Sequence, residues 1–389
     1  MTTGSTPLRV IIAGAGIGGL TLACALRRAG IAVRVLERAP HLAPVGAGIS
    51  VQSNALAALR LLDLEAPIIA AGCAPATSAM LNERGKALSE QNGERIFTKV
   101  GVPCVALHRA RLHAILLEAA GKNVVAPGVE VTSYKDLGHC VEVHAANTIL
   151  EADLLVGADG LRSRVRRQLL GDAPVRYSGY TSWRGVCEID NVPRTRTTET
   201  WGRGRRFGIV PLGPREVYWF ATANVPPGGR DGRVQTELLK RFGGWHDPIR
   251  RLIEATPPQL IVRTDITDRP PVDRWSKGRV VLLGDAAHPM TPNLGQGGCQ
   301  AIEDAVVLAE ELQRASGVTE AVQAYERRRV ARANATVRAS WSMGRLAQWE
   351  NLVACAFRTL LMRATPPGIV ERQLVAALRP VVGAALAKA

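Results

Sequence analysis

The sequence predicts an α/β fold: a Rossmann-like parallel-sheet core, an inserted antiparallel sheet, and helices at the C-terminal end of its 389 residues. Three observations predict it. The stretch "LRVIIAGAGIGGLTLACALRRAGIAVRVLER" sets a short apolar run before Gly14-x-Gly16-x-x-Gly19, then a helical run, then a second apolar run ending at Glu37. The runs "RFGIVPL" (206–212) and "VYWFATA" (217–223) alternate as antiparallel strands do, with "GPRE" as the turn between them. Residues 340–389 repeat apolar positions at helical spacing with arginines between. A chain of this length exceeds one simple core, so two domains are expected.

Leu8–Ala13 reads as a buried parallel strand. Gly14 permits the tight turn after it, Gly16 lets backbone approach a pyrophosphate, and Gly19 lets the helix pack closely on the strand. Leu20–Ala29 reads as that helix, ending at Gly30, and its start offers unpaired N–H groups to phosphate. Ile31–Leu36 is a second strand, with Glu37 at its end where a carboxylate accepts hydrogen bonds from ribose hydroxyls. An acid there repels a 2′-phosphate, so the expected nucleotide is FAD or NAD, not NADP. Further on, "ADLLVGADGLRSRVRRQLLG" (152–171) is a strand running into Asp159-Gly160 and an arginine-rich helix. Arg279–Leu283 is a strand closed by Gly284-Asp285, and Cys299–Leu312 reads as a long helix after a glycine-rich loop. An NAD dehydrogenase needs neither segment.

Composition narrows the classes. Hydrophobic residues make up 47% and charged residues 21%, the balance of a soluble globular chain. No uncharged apolar run approaches the ~20 residues that span a bilayer. The N-terminus lacks the basic leader and unbroken apolar stretch of a signal peptide. Seven scattered cysteines without a CxxC pair suggest reduced thiols in the cytoplasm, and the histidines show no metal-ligand spacing. The net charge of +15 is spread over the chain, with 4% aromatics and no nucleic-acid motif. A basic surface that attracts a phosphate-rich cofactor fits better than nucleic acid.

The glycine motif with Glu37, "ADGLRSRVR" and "GDAAHPMTPNLGQGG" occur in the order and spacing of the single-component FAD-dependent aromatic hydroxylases, the group A flavoprotein monooxygenases, which this sequence resembles. It is most similar to the branch holding urate hydroxylase, tetracycline-inactivating monooxygenases and zeaxanthin epoxidase. The resemblance implies a GR2-type FAD-binding domain in three parts (1–75, 101–174 and 271–335). It also implies a substrate domain in two parts (76–100 and 175–270) and C-terminal helices over 336–389. It implies FAD contacts from Gly14, Gly16, Gly18, Gly19 and Glu37, with Arg38 beside the adenosine ribose. Gly48 and Ser50 would serve the flavin side, Arg109 the phosphate or ribityl chain, and Val131 the adenine part. Asp285 would bond the ribityl chain, and Asp159 and Gly160 would lie near the pyrophosphate and help NAD(P)H engage. The loop from Pro292 through Gly295, Gln296, Gly297 and Gly298 to Cys299 would lie against the flavin ring. Its N–H groups, at a helix start, would face the edge where reduced flavin is anionic.

The chemistry implied is reduction of FAD by transiently docked NAD(P)H, formation of a C4a-hydroperoxyflavin with O₂, and oxygen transfer to an electron-rich aromatic or heteroaromatic small molecule. Hydroxylation, epoxidation and oxidative decarboxylation all use that oxidant. Arg206 and Tyr218 match substrate-facing positions of the urate-hydroxylase-like branch, to bind an oxygen anion or, for Tyr218, to deprotonate or position a substrate hydroxyl. Arg184 is a further candidate near the flavin. The alternative function is an FAD-dependent reductase of the geranylgeranyl-reductase-like type, and a non-catalytic flavin-binding module is a third. For residues 340–389 two readings stand: helices packed across the domains, or a membrane-surface patch.

Overall fold

The computed structural model describes residues 8–42, 46–146, 148–380 and 382. The first seven residues, Val45 of the "VGAGISV" stretch and the chain beyond 382 therefore lie outside the described residues. A six-stranded sheet forms the first layer, in the order 276–277, 280–282, 154–157, 9–13, 32–37, 125–127. All its pairings are parallel except that of the short strand Ser276–Lys277. Its central strand Arg9–Ala13 is buried almost throughout, as strands covered on both faces are. The glycine-loop helix, Ile17–Arg28, packs between this sheet and the helix Gly297–Arg314. An antiparallel three-stranded sheet (131–136, 141–145, 148–152) extends the same core.

The second layer is a seven-stranded sheet in the order 262–268, 176–188, 216–223, 205–211, 196–201, 77–82, 87–92. The sequence implies a wholly antiparallel sheet; instead Arg196–Trp201 runs parallel to Thr77–Asn82, and the remaining pairs are antiparallel. A parallel pair arises because the strand 77–82 enters from a chain segment far upstream, not through a hairpin. The alternation expected at 206–223 is present and gives the sheet two unlike faces. Phe207, Ile209, Val217, Trp219 and Trp183 bury one face against the helices Val234–Phe242 and Ile249–Ala255. Phe207 stacks on Trp219 at 5.4 Å between ring centroids. The intervening residues Arg206, Gly208, Val210, Tyr218, Phe220 and Thr222 lie on the other face, toward the first layer.

The chain closes with three helices. Val318–Ala347 is one 30-residue helix and runs unbroken through residue 335, where the sequence suggests a boundary. It packs on Gly297–Arg314. The shorter Leu352–Ala364 and Pro367–Leu378 bury few side chains, yet they also bridge. Arg358 bonds the carbonyls of Ala347 on the long helix and Gly202 beside the sheet, and Glu371 pairs with Arg95 and Lys99 while Arg332 of the long helix reaches the Ala377 carbonyl. Among the described residues no helix is long and apolar enough to cross a membrane.

Candidate active site

Between the two layers lies a cavity of about 440 Å³. Its first wall is mostly backbone. Gly16, Ile17 and Gly18 open the glycine-loop helix, and Gly295, Gly297 and Gly298 open the helix Gly297–Arg314. Neither helix has a side-chain cap or an acidic residue in its first turn. Both starts therefore present N–H groups and the positive end of a helix dipole to one space, which suits an anionic, electron-rich ligand. The loop geometry demands glycine at Gly14, where φ is +108° and a Cβ would sit 2.5 Å from the Ala158 carbonyl oxygen. At Gly16 a Cβ would meet no atom within 4 Å, so that position faces open cavity. A dinucleotide's pyrophosphate fits there without displacing protein.

Asp285, Arg109 and Gly160 complete this wall, together with Gly48 and Ser50 of the strand Gly48–Val51. Asp285 opens onto the cavity but is otherwise walled by protein; burial pushes its carboxyl up, against the pull of His288 and Arg109. Its oxygens have no hydrogen-bond partner among the described residues, which leaves them for ligand hydroxyls. Other expected residues support the wall from behind. Glu37 accepts the N–H of Ala15 at 2.9 Å and of Ala39 at 2.8 Å, fixing the carboxylate at the strand end. Asp159 accepts the N–H groups of Arg164 and Val165 and so caps the helix Arg164–Leu170, while burial raises its pKa. Gln296 turns its side chain inward to Gln52, Asn54 and Gln300. Cys299 is buried, donates to the Ser50 carbonyl at 3.4 Å, and has its thiol pushed up to about 12 by burial. Val131 is buried in the core and Arg38 is exposed; neither lines the cavity.

Several residues singled out for no role turn out to hold the wall in shape. Arg329, buried behind it, donates to Asp304 and Glu303, both at 2.7 Å, and to Gln300. Asp304 in turn accepts the N–H of Gly284 at 3.1 Å and meets His288 Nε2 at 2.5 Å. Burial alone would raise the Asp304 pKa, but the charges of His288 and Arg329 bring it down to about 2. Arg166 reaches from the Ser163-capped helix to the carbonyls of Ala286 and Ala287. The acid pair "ED" at 303–304, five and six residues past Gly298 of the double glycine, is the signal in the sequence that marks this lock.

The second wall consists of side chains from the seven-stranded sheet: Ser182, Arg184, Glu199, Arg206, Val210, Tyr218, Phe220 and Thr222. Arg206 is 3% exposed and its guanidinium is already committed. It donates to Gln348 at 2.9 Å, to Glu199 at 3.1 Å and to Asn293 at 2.7 Å. Asn293 belongs to the glycine loop and also accepts from Tyr180, so it ties one wall to the other. Glu199 Oε1 takes both Arg206 and the Trp201 indole N–H, whereas Oε2 has no partner among the described residues. Tyr218 lies against Gly48, where a Cβ would fall 2.4 Å from the ring. Its pKa is raised by burial, with Arg184 opposing. A phenol held above its usual range is a hydrogen-bond donor near neutral pH, not a base. Arg184 makes no ion pair among the described residues. Glu199, Asn293 and Gln348 went unnoticed in the sequence because they come from three distant segments that only the fold brings together.

Comparison with known proteins agrees with this geometry. Residues 7–340 match the FAD binding domain family. The chain is 52% identical to an aurachin C monooxygenase/isomerase of Stigmatella aurantiaca over 361 residues, covering 92% of this chain and 94% of the relative. It is 36% identical to a 2-heptyl-3-hydroxy-4(1H)-quinolone synthase of Pseudomonas aeruginosa, covering 92% and 94%. Among solved structures, Klebsiella pneumoniae HpxO complexed with FAD and uric acid superposes with a TM-score of 0.90 at 30% identity, over 95% of this chain and 96% of that one.

Proposed function

The chain belongs to the FAD binding domain family, in its group A monooxygenase branch, and from that premise we propose that it inserts one atom of O₂ into a neutral, electron-rich nitrogen heteroaromatic with electrons from NAD(P)H. The alkyl-quinolone class is the substrate the relatives' names suggest. Residues 76–100 and 175–270 form the substrate half, and the remainder up to residue 335 the FAD half. The chemistry FAD supplies when bound is acceptance of hydride and activation of O₂ as an electrophilic oxygen donor.

The chain's own residues have distinct tasks. The N–H groups of Gly16–Gly18 would hold the pyrophosphate with help from Arg109, and Asp285 would bond the ribityl hydroxyls. N–H groups at Gly297–Cys299 would favour negative charge on a flavin bound against this helix start. Arg184 supplies a cation to the cavity. Tyr218, kept protonated, donates to a substrate carbonyl oxygen and orients the ring. Arg206 is paired with Glu199, so it positions that carboxylate and does not capture a substrate anion. Glu199 Oε2 accepts the substrate's ring N–H, which stabilises positive charge building on nitrogen as the ring gives electron density to oxygen.

The observation that carries this reading is the Glu199–Arg206 pair opposite an uncapped glycine wall. Its test is turnover of 2-heptyl-4(1H)-quinolone with NADH or NADPH under ¹⁸O₂. One labelled oxygen in the product, with ligand-dependent nicotinamide oxidation, is the expected result. Anaerobic turnover that saturates a double bond would instead favour the reductase.

A further inference from the structure

The helix Leu352–Ala364 carries its amphipathicity inside out. Leu352, Val353, Phe357, Leu360 and Leu361 are between 51% and 77% exposed. At 100° per residue they fall on one half of the helix circumference, joined by Ala356 and Ala364. The opposite side, which meets the protein, carries Ala354, Cys355, Arg358, Thr359 and Met362 and none of the large branched or aromatic side chains. Arg358 is buried there and donates to the carbonyls of Leu346, Ala347 and Gly202, with its guanidinium 5.1 Å from the Trp201 ring. Cys355 donates to the Trp349 carbonyl at 3.2 Å. Asn351 caps the start through the N–H groups of Val353 and Ala354. A helix held mainly by these hydrogen bonds has its large apolar side chains positioned for something outside the fold.

The charges around it say what. The helix has no acidic residue. Arg345, Arg363 and Arg372, on it and on its two neighbours, are exposed and form no ion pair among the described residues. Of the nearby acids, Glu371 pairs with Arg95 and Lys99, and Glu350 accepts from Asn224 and keeps its charge, one carboxylate against these three arginines. Trp349 stands half-exposed at the start of the stripe, the residue type favoured where apolar and polar media meet. A second copy of this chain would bring another +15 and the same arginines against the patch. An anionic lipid surface complements both features.

We propose that this helix docks the protein on anionic phospholipid membranes, lying in the headgroup plane with its apolar stripe, about 20 Å long, buried among the acyl chains. The docking helix adjoins the active-site wall. Gln348, four residues before it, bonds Arg206 and Thr222 on the sheet.

The test is co-sedimentation of the FAD-loaded protein with large unilamellar vesicles, of phosphatidylcholine alone or doped with phosphatidylglycerol. The wild type is expected to partition onto the anionic vesicles, to release as salt rises, and to ignore the neutral ones. The double variant Phe357→Ser with Leu360→Ser should keep its bound FAD and its melting temperature, because both side chains are exposed. It should lose partitioning by about tenfold or more. Wild type left in the supernatant with anionic vesicles overturns the proposal. So does equal binding by the variant, which would assign the effect to the general basic surface. A dimer in solution that the same variant dissolves, without vesicle binding, would give the patch to a second copy.

Discussion

On the nucleotide side of the cavity the lining is Gly16, Gly18, Gly295, Gly297 and Gly298, backbone presented by two helix starts. On the sheet side it is Arg184, Glu199, Arg206, Tyr218 and Phe220, side chains raised from four adjacent strands. The first surface binds through dipoles that no substitution of a side chain can supply. The second binds through charges and rings that single substitutions can exchange. A shared cofactor needs the first kind of wall and a varied substrate the second, which is why members of one fold take different substrates.

The backbone wall is not held by backbone alone. Arg329 is fully buried and pairs with both Glu303 and Asp304 behind it. Arg329→Ala removes the fully buried guanidinium from two buried carboxylates, leaving Asp304 to His288 and Glu303 to Arg332, and should destabilise the protein by about 3–5 kcal/mol, read as a drop in urea midpoint. That is the largest effect expected, and a mild one would mean water replaces the guanidinium. Gly14→Ala comes next. Forcing a Cβ into a positive-φ turn and against the Ala158 carbonyl costs about 1–3 kcal/mol before the clash is counted. FAD retention, followed by the yellow colour through gel filtration, should weaken at least about tenfold.

Acid should reach the same lock. Asp304 has its folded pKa depressed to about 2 from a usual 3.8. A depressed carboxylate contributes stability above the unfolded value and loses it as pH falls through the folded one. About 2 kcal/mol should therefore disappear between roughly pH 4 and 2. Asp304→Asn should flatten that part of the stability–pH curve. The smallest change is expected on the sheet wall, where Tyr218→Phe removes one hydrogen bond worth about 0.5–1.5 kcal/mol, a few-fold in kcat/KM. Because the phenol sits above its usual value of 10, the activity profile below pH 10 should keep its shape in the variant. An alkaline limb that vanishes with the hydroxyl would restore Tyr218 as a base.

These two walls were unequally legible in the sequence. Gly14, Gly16, Gly297 and Gly298 could be read because a glycine at fixed spacing before a helix has few physical explanations. The strand alternation at 206–223 was equally plain; Arg206 and Tyr218 were singled out by the family resemblance, and both line the cavity. The state of Arg206 was not readable. Its partners Glu199, Asn293 and Gln348 lie 7, 87 and 142 residues away in the chain, and only the fold shows that the guanidinium is spent on them. The same holds for the parallel pairing of 196–201 with 77–82, and for the last helices. Helical spacing revealed an apolar face at 352–361 but not whether it turns inward.

The most direct measurement is ligand titration of the FAD-loaded protein, followed by the change in flavin absorbance, with 2-heptyl-4(1H)-quinolone and its N-methyl analogue. If Glu199 receives the ring N–H, the wild type should bind the N–H compound at least about tenfold more tightly. Glu199→Gln should then erase most of that difference while the N-methyl compound binds as before. Equal binding of both ligands by the wild type, or an undiminished preference in Glu199→Gln, would contradict the assignment of this wall to a neutral N–H heteroaromatic.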